Sequence, residues 1–282
     1  MRRRRRGAWF MLGLLGVLTA ITGTGLGVGR WTRIRVETLP LPVETPIRIA
    51  VLTDTHLVDD LSVRHLQSVL QQVYAHQPDL IVIVGDVVSS RKDLPYIRKG
   101  FKGIRAPLGV YAVLGNHDHW SGGEAVRREL EALGITVLMN ESRTLRKGEA
   151  EFILAGIDDL YTGNPNWERT FRAIPPNPKQ AVILLSHNPD AALSPYRNRA
   201  HLILSGHTHA GQIWVPPGFH RLAKRLLGRS FLPQTEYGIT HPYGLKREGK
   251  TWVYVSSGVT LGRSVPRWFT RPEAVIIECT PP

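Results

Sequence analysis

Five apolar runs of this chain each end in a side chain able to hold a cation or move a proton. "IAVLT" runs into Asp54 and, two residues on, His56. "LIVIVG" runs into Asp86, "YAVLG" into Asn116-His117-Asp118, "VILLS" into His187, and "LILSG" into His207-Thr208-His209. Residues two apart on extended backbone share a face, so Asp54 and His56 can grip one ion. Carboxylate oxygen with imidazole nitrogen, and no thiolate, suits manganese, iron, zinc or cobalt rather than a soft metal. One carboxylate can also bridge two ions about 3.5–4 Å apart, which clamp the attacking and leaving oxygens of a phosphoryl displacement. Each piece alone is weak. An isolated Asp-x-His is commonly surface, Gly-Asp after a strand is commonly a turn, and a lone His187 is compatible with a satisfied core histidine. All of these endings in one order are not explained by packing.

The segments between them predict how they are positioned. "IRIAVLT" reads as a strand. Leu66, Val69, Leu70 and Val73 fall on one face of a helix that Pro78 stops. "LIVIVG" and "GVYAVLG" read as buried strands. Ser121-Gly-Gly-Glu124 reads as a capping box. It opens a helix with Val126, Leu130 and Leu133 on one face and Gly134 at its end. "FILAGI", "AVILLS" and "HLILSG" are further strands, and "TWVYVSS" and "AVIIEC" close the chain. Alternating strands and helices predict an α/β layered fold with largely parallel pairing near the motifs. Ligands of such sheets bind at the carboxyl ends of the strands, so the endings should converge on one site.

Composition bounds the rest. The 282 residues, 42% hydrophobic and 21% charged, suffice for one sizeable globular domain. The net charge of +13 is concentrated at the start: Arg2 to Arg6, Arg30, Arg33 and Arg35 all precede the first acid, Glu37. No nucleic-acid partner is expected from a remainder so nearly balanced. Cys279 is the single cysteine, which excludes an internal disulfide and a thiolate zinc site. From Ala8 to Gly29 run 22 uncharged residues, enough for a helix to span a bilayer. An uncleaved anchor is preferred to a cleaved signal peptide, because "TGTGLG" matches a small-x-small cleavage site poorly. A twin-arginine export signal would retain only Arg5-Arg6 of its motif. Five arginines precede the segment and three follow it, which predicts a cytoplasmic N-terminus and a domain outside. The domain plan is therefore 1–35 for the basic start and anchor, 36–46 for a Pro-rich connector, and 47–282 for the folded domain.

The motifs "DTH", "GDVV", "GNHD", "SHNP" and "GHTHAGQ" resemble, in order and spacing, those of the calcineurin-like metallophosphoesterase superfamily. Within it the chain looks most like a membrane-anchored bacterial branch similar to envelope phosphodiesterases and UDP-2,3-diacylglucosamine pyrophosphatases. The resemblance implies a four-layer α/β/β/α sandwich and two divalent ions, of manganese, iron or zinc. It implies that Asp54, His56, Asp86 and His209 hold one ion, and that Asp86, Asn116, His187 and His207 hold the other, with Asp86 bridging. His117 then faces the phosphate and protonates the leaving oxygen, with Asp118 holding its ring. The nucleophile implied is a hydroxide bridging the ions. His119 is read as a supporting or surface residue. His65, His76, His201 and His241 receive no role, and Arg263 and Arg271 either meet phosphate or form a basic surface.

After the last motif, residues 215–232 carry a short basic amphipathic pattern. Leu222, Leu226 and Leu227 lie on one side, and Arg221, Lys224 and Arg225 on the other. One reading is a helix packed on its own domain. The other is a lip in the membrane surface that feeds an anionic, phosphate-bearing lipid to the metals. The function expected is hydrolysis of a phosphodiester or pyrophosphate in an envelope lipid, a glycolipid such as UDP-2,3-diacylglucosamine, or a wall polymer. A cytoplasmic UDP-linked substrate conflicts with the outward topology. A phosphoprotein phosphatase and a non-catalytic module binding metal and anionic lipid are the alternatives.

Overall fold

A computed structural model describes residues 31–211, 235–261, 267 and 269–282, with isolated helical positions at 16, 19, 23, 222, 225 and 226. Among the described residues, twelve strands form two six-stranded sheets. In spatial order the first holds β1 (Arg33–Pro40), β12 (Glu273–Thr280), β2 (Ile47–Leu52), β3 (Leu80–Val84), β4 (Val110–Val113) and β5 (Thr136–Val137). The second holds β10 (Gly244–Glu248), β11 (Thr251–Val255), β9 (Leu202–Ser205), β8 (Val182–Leu185), β7 (Ala150–Gly156) and β6 (Glu141–Lys147). Strands β2 to β5 run parallel, as do β7, β8, β9 and β11. Both faces of these strands are covered, which is why they read as unbroken apolar runs.

The pleat sorts those runs into three apolar layers. Ala50, Leu52, Ile81 and Ile83 face the helices α1 (Asp60–Ala75), α2 (Pro95–Gly100) and α4 (Gly123–Glu131), which contribute Leu66, Val73, Ile97 and Leu130. Ile49, Val51, Leu80 and Val82 point the other way, to meet Phe152, Leu154, Ile183 and Leu204 of the second sheet. Ile153, Ala155, Val182 and Ile203 turn outward beneath Phe171, Ile174 and Ala191. The fold is thus mixed α/β with two stacked sheets. The helix expected around Leu66 to Val73 is α1, opened by Asp59, whose carboxylate accepts from Ser62 N at 2.9 Å.

Two local expectations are corrected. The Ser121–Glu124 capping box does not form: α4 starts after Gly122 without a side-chain cap. Residues Asn116–Trp120 make a one-turn helix of their own, α3, and Ser121 Oγ donates to His117 O at 2.7 Å to end it. The proposed connector 36–46 begins inside the sheet. All of β1 pairs in parallel with β12, from Arg33 opposite Glu273 to Pro40 opposite Thr280. Its alternating Arg-Ile-Arg-Val start was masked by the prolines that follow. Most of the apolar segment Ala8–Gly29 and most of the 215–232 pattern, including Arg221, Lys224 and Leu227, lie outside the described residues. No helix among the described residues is long and apolar enough to cross a membrane.

Glu273 locks β1 to the two sheets. It is fully buried, and its carboxylate accepts from Arg33 Nη2 at 2.9 Å, Tyr254 Oη at 2.9 Å and Ser257 N at 3.2 Å. Removing the carboxylate would leave the buried Tyr254 hydroxyl and Ser257 amide without an acceptor, together about 2–3 kcal/mol, whereas Arg33, 35% exposed, can turn to water. Glu273→Ala should therefore lower Tm by roughly 4–12 °C in a thermal melt. Glu273→Gln keeps an acceptor for Tyr254 and should lose less; equal losses would refute this account.

Candidate metal centre

Strands β2, β3 and β4 deliver Asp54, His56, Asp86 and Asn116 from the first sheet, and β8 and β9 deliver His187, His207 and His209 from the second. All leave at the carboxyl ends, and they meet. Asp54, His56, Asp86 and His209 offer ligand atoms within 4.8 Å of one another, as do Asp86, His187 and His207. Asp86 belongs to both groups: its Oδ2 lies 3.2 Å from His187 Nε2 and 3.5 Å from His56 Nε2. His56 Nε2 and His209 Nε2 face each other at 3.3 Å, and His209 Nε2 is 3.4 Å from Asp54 Oδ1. Asn116 Oδ1 sits 2.9 Å from His207 Nδ1.

The backbone is bent to achieve this. Asp54, His56, Asp86, His207 and His209 all take positive φ, between 39° and 70°. Such backbone costs on the order of 1–3 kcal/mol per residue and persists where a site demands it. Close approach also dictates the glycines that precede two ligands. A Cβ on Gly206 would lie 1.9 Å from Thr53 Oγ1 and 2.3 Å from Asp54 Oδ2, and one on Gly115 would lie 2.3 Å from Asp86 Oδ1. The "GH" and "GN" pairs of the motifs are therefore steric requirements of the packed carboxylates.

The donors are arranged for cations. Burial holds His56 and His207 down to about 4, and pushes His209 down as well, so all three rings are neutral near pH 7. His187 is the exception. Burial opposes its charge, but the adjoining Asp86 carboxylate raises it well above the ordinary value and is itself held low. His187 Nδ1 lies 2.8 Å from Val84 O, to which its N–H donates. The Nε2 atom of His187 faces the Asp86 carboxylate at 3.2 Å, and that of His207 is buried without a hydrogen-bond partner among the described residues. Buried polar atoms are seldom left so. An orphaned imidazole nitrogen, with further imidazoles gathered around buried carboxylates and no thiol near, fits divalent ions with oxygen and nitrogen preference. The lone thiol, Cys279, is buried in the core between the sheets.

The family model for calcineurin-like phosphoesterases matches residues 47–211, the stretch that carries all of these side chains. The chain belongs to that family. It is a metal-dependent phosphoesterase, whose family uses two divalent ions. The uncharacterised metallophosphoesterase YkuE of Bacillus subtilis is 32% identical over 95% of each chain. The phosphodiesterase YaeI of Escherichia coli is 28% identical over 83% of this chain and 82% of its own. A zebrafish (Danio rerio) protein named as transmembrane with a metallophosphoesterase domain is 33% identical over 64% of this chain and 44% of its own. A candidate 5′-nucleotidase of Staphylococcus aureus, solved with α-ketoglutarate, superposes with a TM-score of 0.50 at 11% identity, which shows a shared fold. It covers 76% of this chain and 49% of that one.

Around the phosphoesterase's ligands, one expected role is corrected. Asp118 does not touch the His117 ring. It is fully buried, and accepts from Val87 N at 2.9 Å and Gly115 N at 3.0 Å, so it ties the β3 and β4 exits together. The reason lies in α3, whose first turn aims the third residue back at its own start. His117 Nδ1 instead lies 3.2 Å from Ser89 O, and His117 N donates to Asp86 Oδ1 at 2.9 Å. His119 pairs with Asp158 at 2.7 Å. His65, His201 and His241 have structural partners in Val259 O, Val182 N and Gly244 O. Arg271 donates to Trp31 O, and Arg263 lies outside the described residues. Sequence reasoning missed Ser89, whose Oγ is 3.0 Å from His56 Nδ1. It also missed Arg267, 2% exposed, which donates to Thr260 O at 2.9 Å and His209 O at 3.4 Å. Nothing in "RSVPRWFTRPE" distinguishes the buried arginine from its neighbours.

Metal loading must displace the proton that Asp86 keeps on His187. Calorimetric titration of metal-free protein near pH 7, in buffers of different ionisation enthalpy, should show net proton release. Affinity should therefore rise with pH, since a released proton is favoured by a lower proton concentration. His56 and His207 add to this only as pH falls toward about 4. Loading without proton release would contradict the His187–Asp86 pairing.

Proposed function

We propose that this phosphoesterase cleaves a phosphodiester or pyrophosphate in an envelope lipid, glycolipid or wall polymer beside a bilayer. The observation that carries the chemistry is the shared position of Asp86 between two clusters of donors. In this reading the stacked sheets are the inner layers of an α/β/β/α sandwich. Asp54, His56, Asp86 and His209 hold one ion, and Asp86, Asn116, His187 and His207 hold the other. The ions, when bound, supply Lewis-acid charge to phosphoryl oxygens and acidify a water molecule. The protein groups do the rest. Asp118 fixes the Gly115 backbone, and with it the placement of Asn116 and His117. Because His117 Nδ1 is turned to Ser89 O, Nε2 is the atom free to hand a proton to the leaving oxygen.

The location of the substrate is argued from three features. The uncharged segment Ala8–Gly29 follows five arginines, and some relatives are named as transmembrane. Leu222 and Leu226 are helical and exposed, at 50% and 71%. They follow the His207–His209 motif closely in sequence, beside Arg221, Lys224 and Arg225. Apolar leucines over arginines suit an anionic lipid surface. YaeI, named a phosphodiesterase, favours a diester.

Asp86→Ala should abolish turnover and lower bound metal more than any other single ligand change, because its loss opens both sites. His117→Ala should keep both ions while turnover falls about 10²–10⁴-fold, less with a good leaving group. The deficit should thus be larger for alkyl than for nitrophenyl diesters. Metal analysis showing two ions in Asp86→Ala, or equal His117→Ala deficits on both esters, would overturn these assignments.

The membrane reading makes a separate forecast. Replacing Leu222, Leu226 and Leu227 with Ser should weaken liposome binding and slow cleavage of embedded substrate, while a soluble chromogenic diester is cleaved as before. Raised salt should reproduce part of the defect on anionic liposomes. A parallel loss on both substrates, with a lowered Tm, would assign these leucines to the domain core instead.

A further inference from the structure

We propose that Trp120 and Tyr161 form a subsite for a nucleobase-like planar ring carried by the leaving group of the ester. The inference rests on the assignment of His117 to the leaving oxygen. Trp120 is the last residue of α3, three positions after His117, and the two rings meet edge to face with centroids 4.9 Å apart. Tyr161 meets Trp120 from a different loop, at 6.3 Å and 87° between ring planes. Trp120 is 59% exposed and Tyr161 47%. Single exposed aromatics need no explanation. Here two of them touch each other and continue the surface from the ring that faces the leaving oxygen. Perpendicular rings make a corner, in which a third flat ring stacks on one wall and meets the other by its edge.

The corner is held rigidly. The Tyr161 loop is tied down by Asp159, whose Oδ1 accepts from Tyr161 N at 3.0 Å and Thr162 N at 2.7 Å. Asp158 accepts from Asn164 N at 2.8 Å and is pinned to α3 by His119. Asn140 accepts from Asp158 N and Asn166 N and donates to Asn164 O. Such a network brings Tyr161 to Trp120 while both rings stay about half exposed, which packing alone does not require. The occupant is a ring rather than a bilayer on two grounds. The loop from Ile157 to Asn166 holds two aspartates and no lysine or arginine, so it has no attraction for anionic headgroups. Two rings at right angles also form no channel for an acyl chain.

The test compares uridine 5′-thiophosphate with ribose 5-thiophosphate, both slow to hydrolyse and differing by the base alone. Each is titrated calorimetrically into the metal-loaded, full-length protein. The native protein should bind the uridine compound at least about fivefold more tightly, the scale of one base–aromatic stack. Tyr161→Ala, which leaves His117 and its Trp120 contact in place, should bring the ratio of the two dissociation constants close to one. Trp120→Leu should do the same. Equal binding by the native protein, or a ratio that survives both substitutions, overturns the subsite and leaves the phosphoesterase reading standing. A substitution that weakens both compounds alike assigns a structural role and overturns it too. If neither compound binds, the reading of the phosphate site falls with it. Loss of liposome binding in Tyr161→Ala, with the ratio unchanged, would give the corner to the membrane instead.

Discussion

Asp86 is a carboxylate removed from water, 2% exposed, between His56 and His187, and the surrounding structure follows from keeping it there. Ionised carboxylates avoid such places unless hydrogen bonds and countercharge replace the lost hydration. Asp86 Oδ1 receives the His117 amide, and its Oδ2 faces imidazole nitrogens. Asp54, fully buried nearby, accepts from Thr53 Oγ1 at 2.6 Å and from His207 N at 3.1 Å. That last bond crosses from one sheet to the other, as does the bond from His187 to Val84 O. The site is therefore the joint between the two sheets as well as their cargo. Cations complete the charge balance that hydrogen bonds begin, so metal binding and sheet docking act on the same atoms.

The same constraint explains where strain is tolerated. A strand exit continuing in extended geometry would point successive side chains to opposite faces. At Asp54, Asp86, His207 and His209 the chain instead turns through positive φ, which aims the ligand back across the strand end. The rigid parallel strands beneath, Val51 and Leu52 against Val82 and Ile83, supply the packing that holds such turns in place.

Much of this was legible in the sequence because the chemistry and the folding pattern coincide. A buried parallel strand must be apolar throughout, so its end is marked by the first polar residue, and a candidate ligand stood at that residue or within two positions of it each time. The core strands and α1 were read for this reason. What escaped lies where local pattern and long-range pairing diverge. β1 depends on pairing with β12, some 240 positions away, and its prolines suggested a connector. Ser121 has the right neighbours for a cap, yet it closes α3 instead of opening α4. Asp118 stands next to His117 in sequence, but adjacent residues on a helical turn point in different directions. Its partners are the backbone amides of Val87 and Val88, just past β3, and of Gly115 at the start of its own turn. Arg267 and Ser89 reach the site through tertiary contacts that no spacing rule records.

The discovery of β1 also changes what the N-terminal segment can do. A connector over 36–46 would have let the domain move freely relative to any anchor. With Arg33 already fixed in the sheet opposite Glu273, only Arg30, Trp31 and Thr32 separate the uncharged segment from the folded edge. Three residues reach about 10 Å at full extension. If Ala8–Gly29 spans a bilayer, the β1 edge must lie against its surface, and the tilt of the domain is set by that edge rather than by a flexible tether. Trp31, 72% exposed, would then stand at the depth where aromatic side chains favour the headgroup region. Starting the chain at residue 36 would remove the first three residues of that edge strand, Arg33 to Arg35, along with the tether, whereas removing residues 1–30 would separate anchoring from folding.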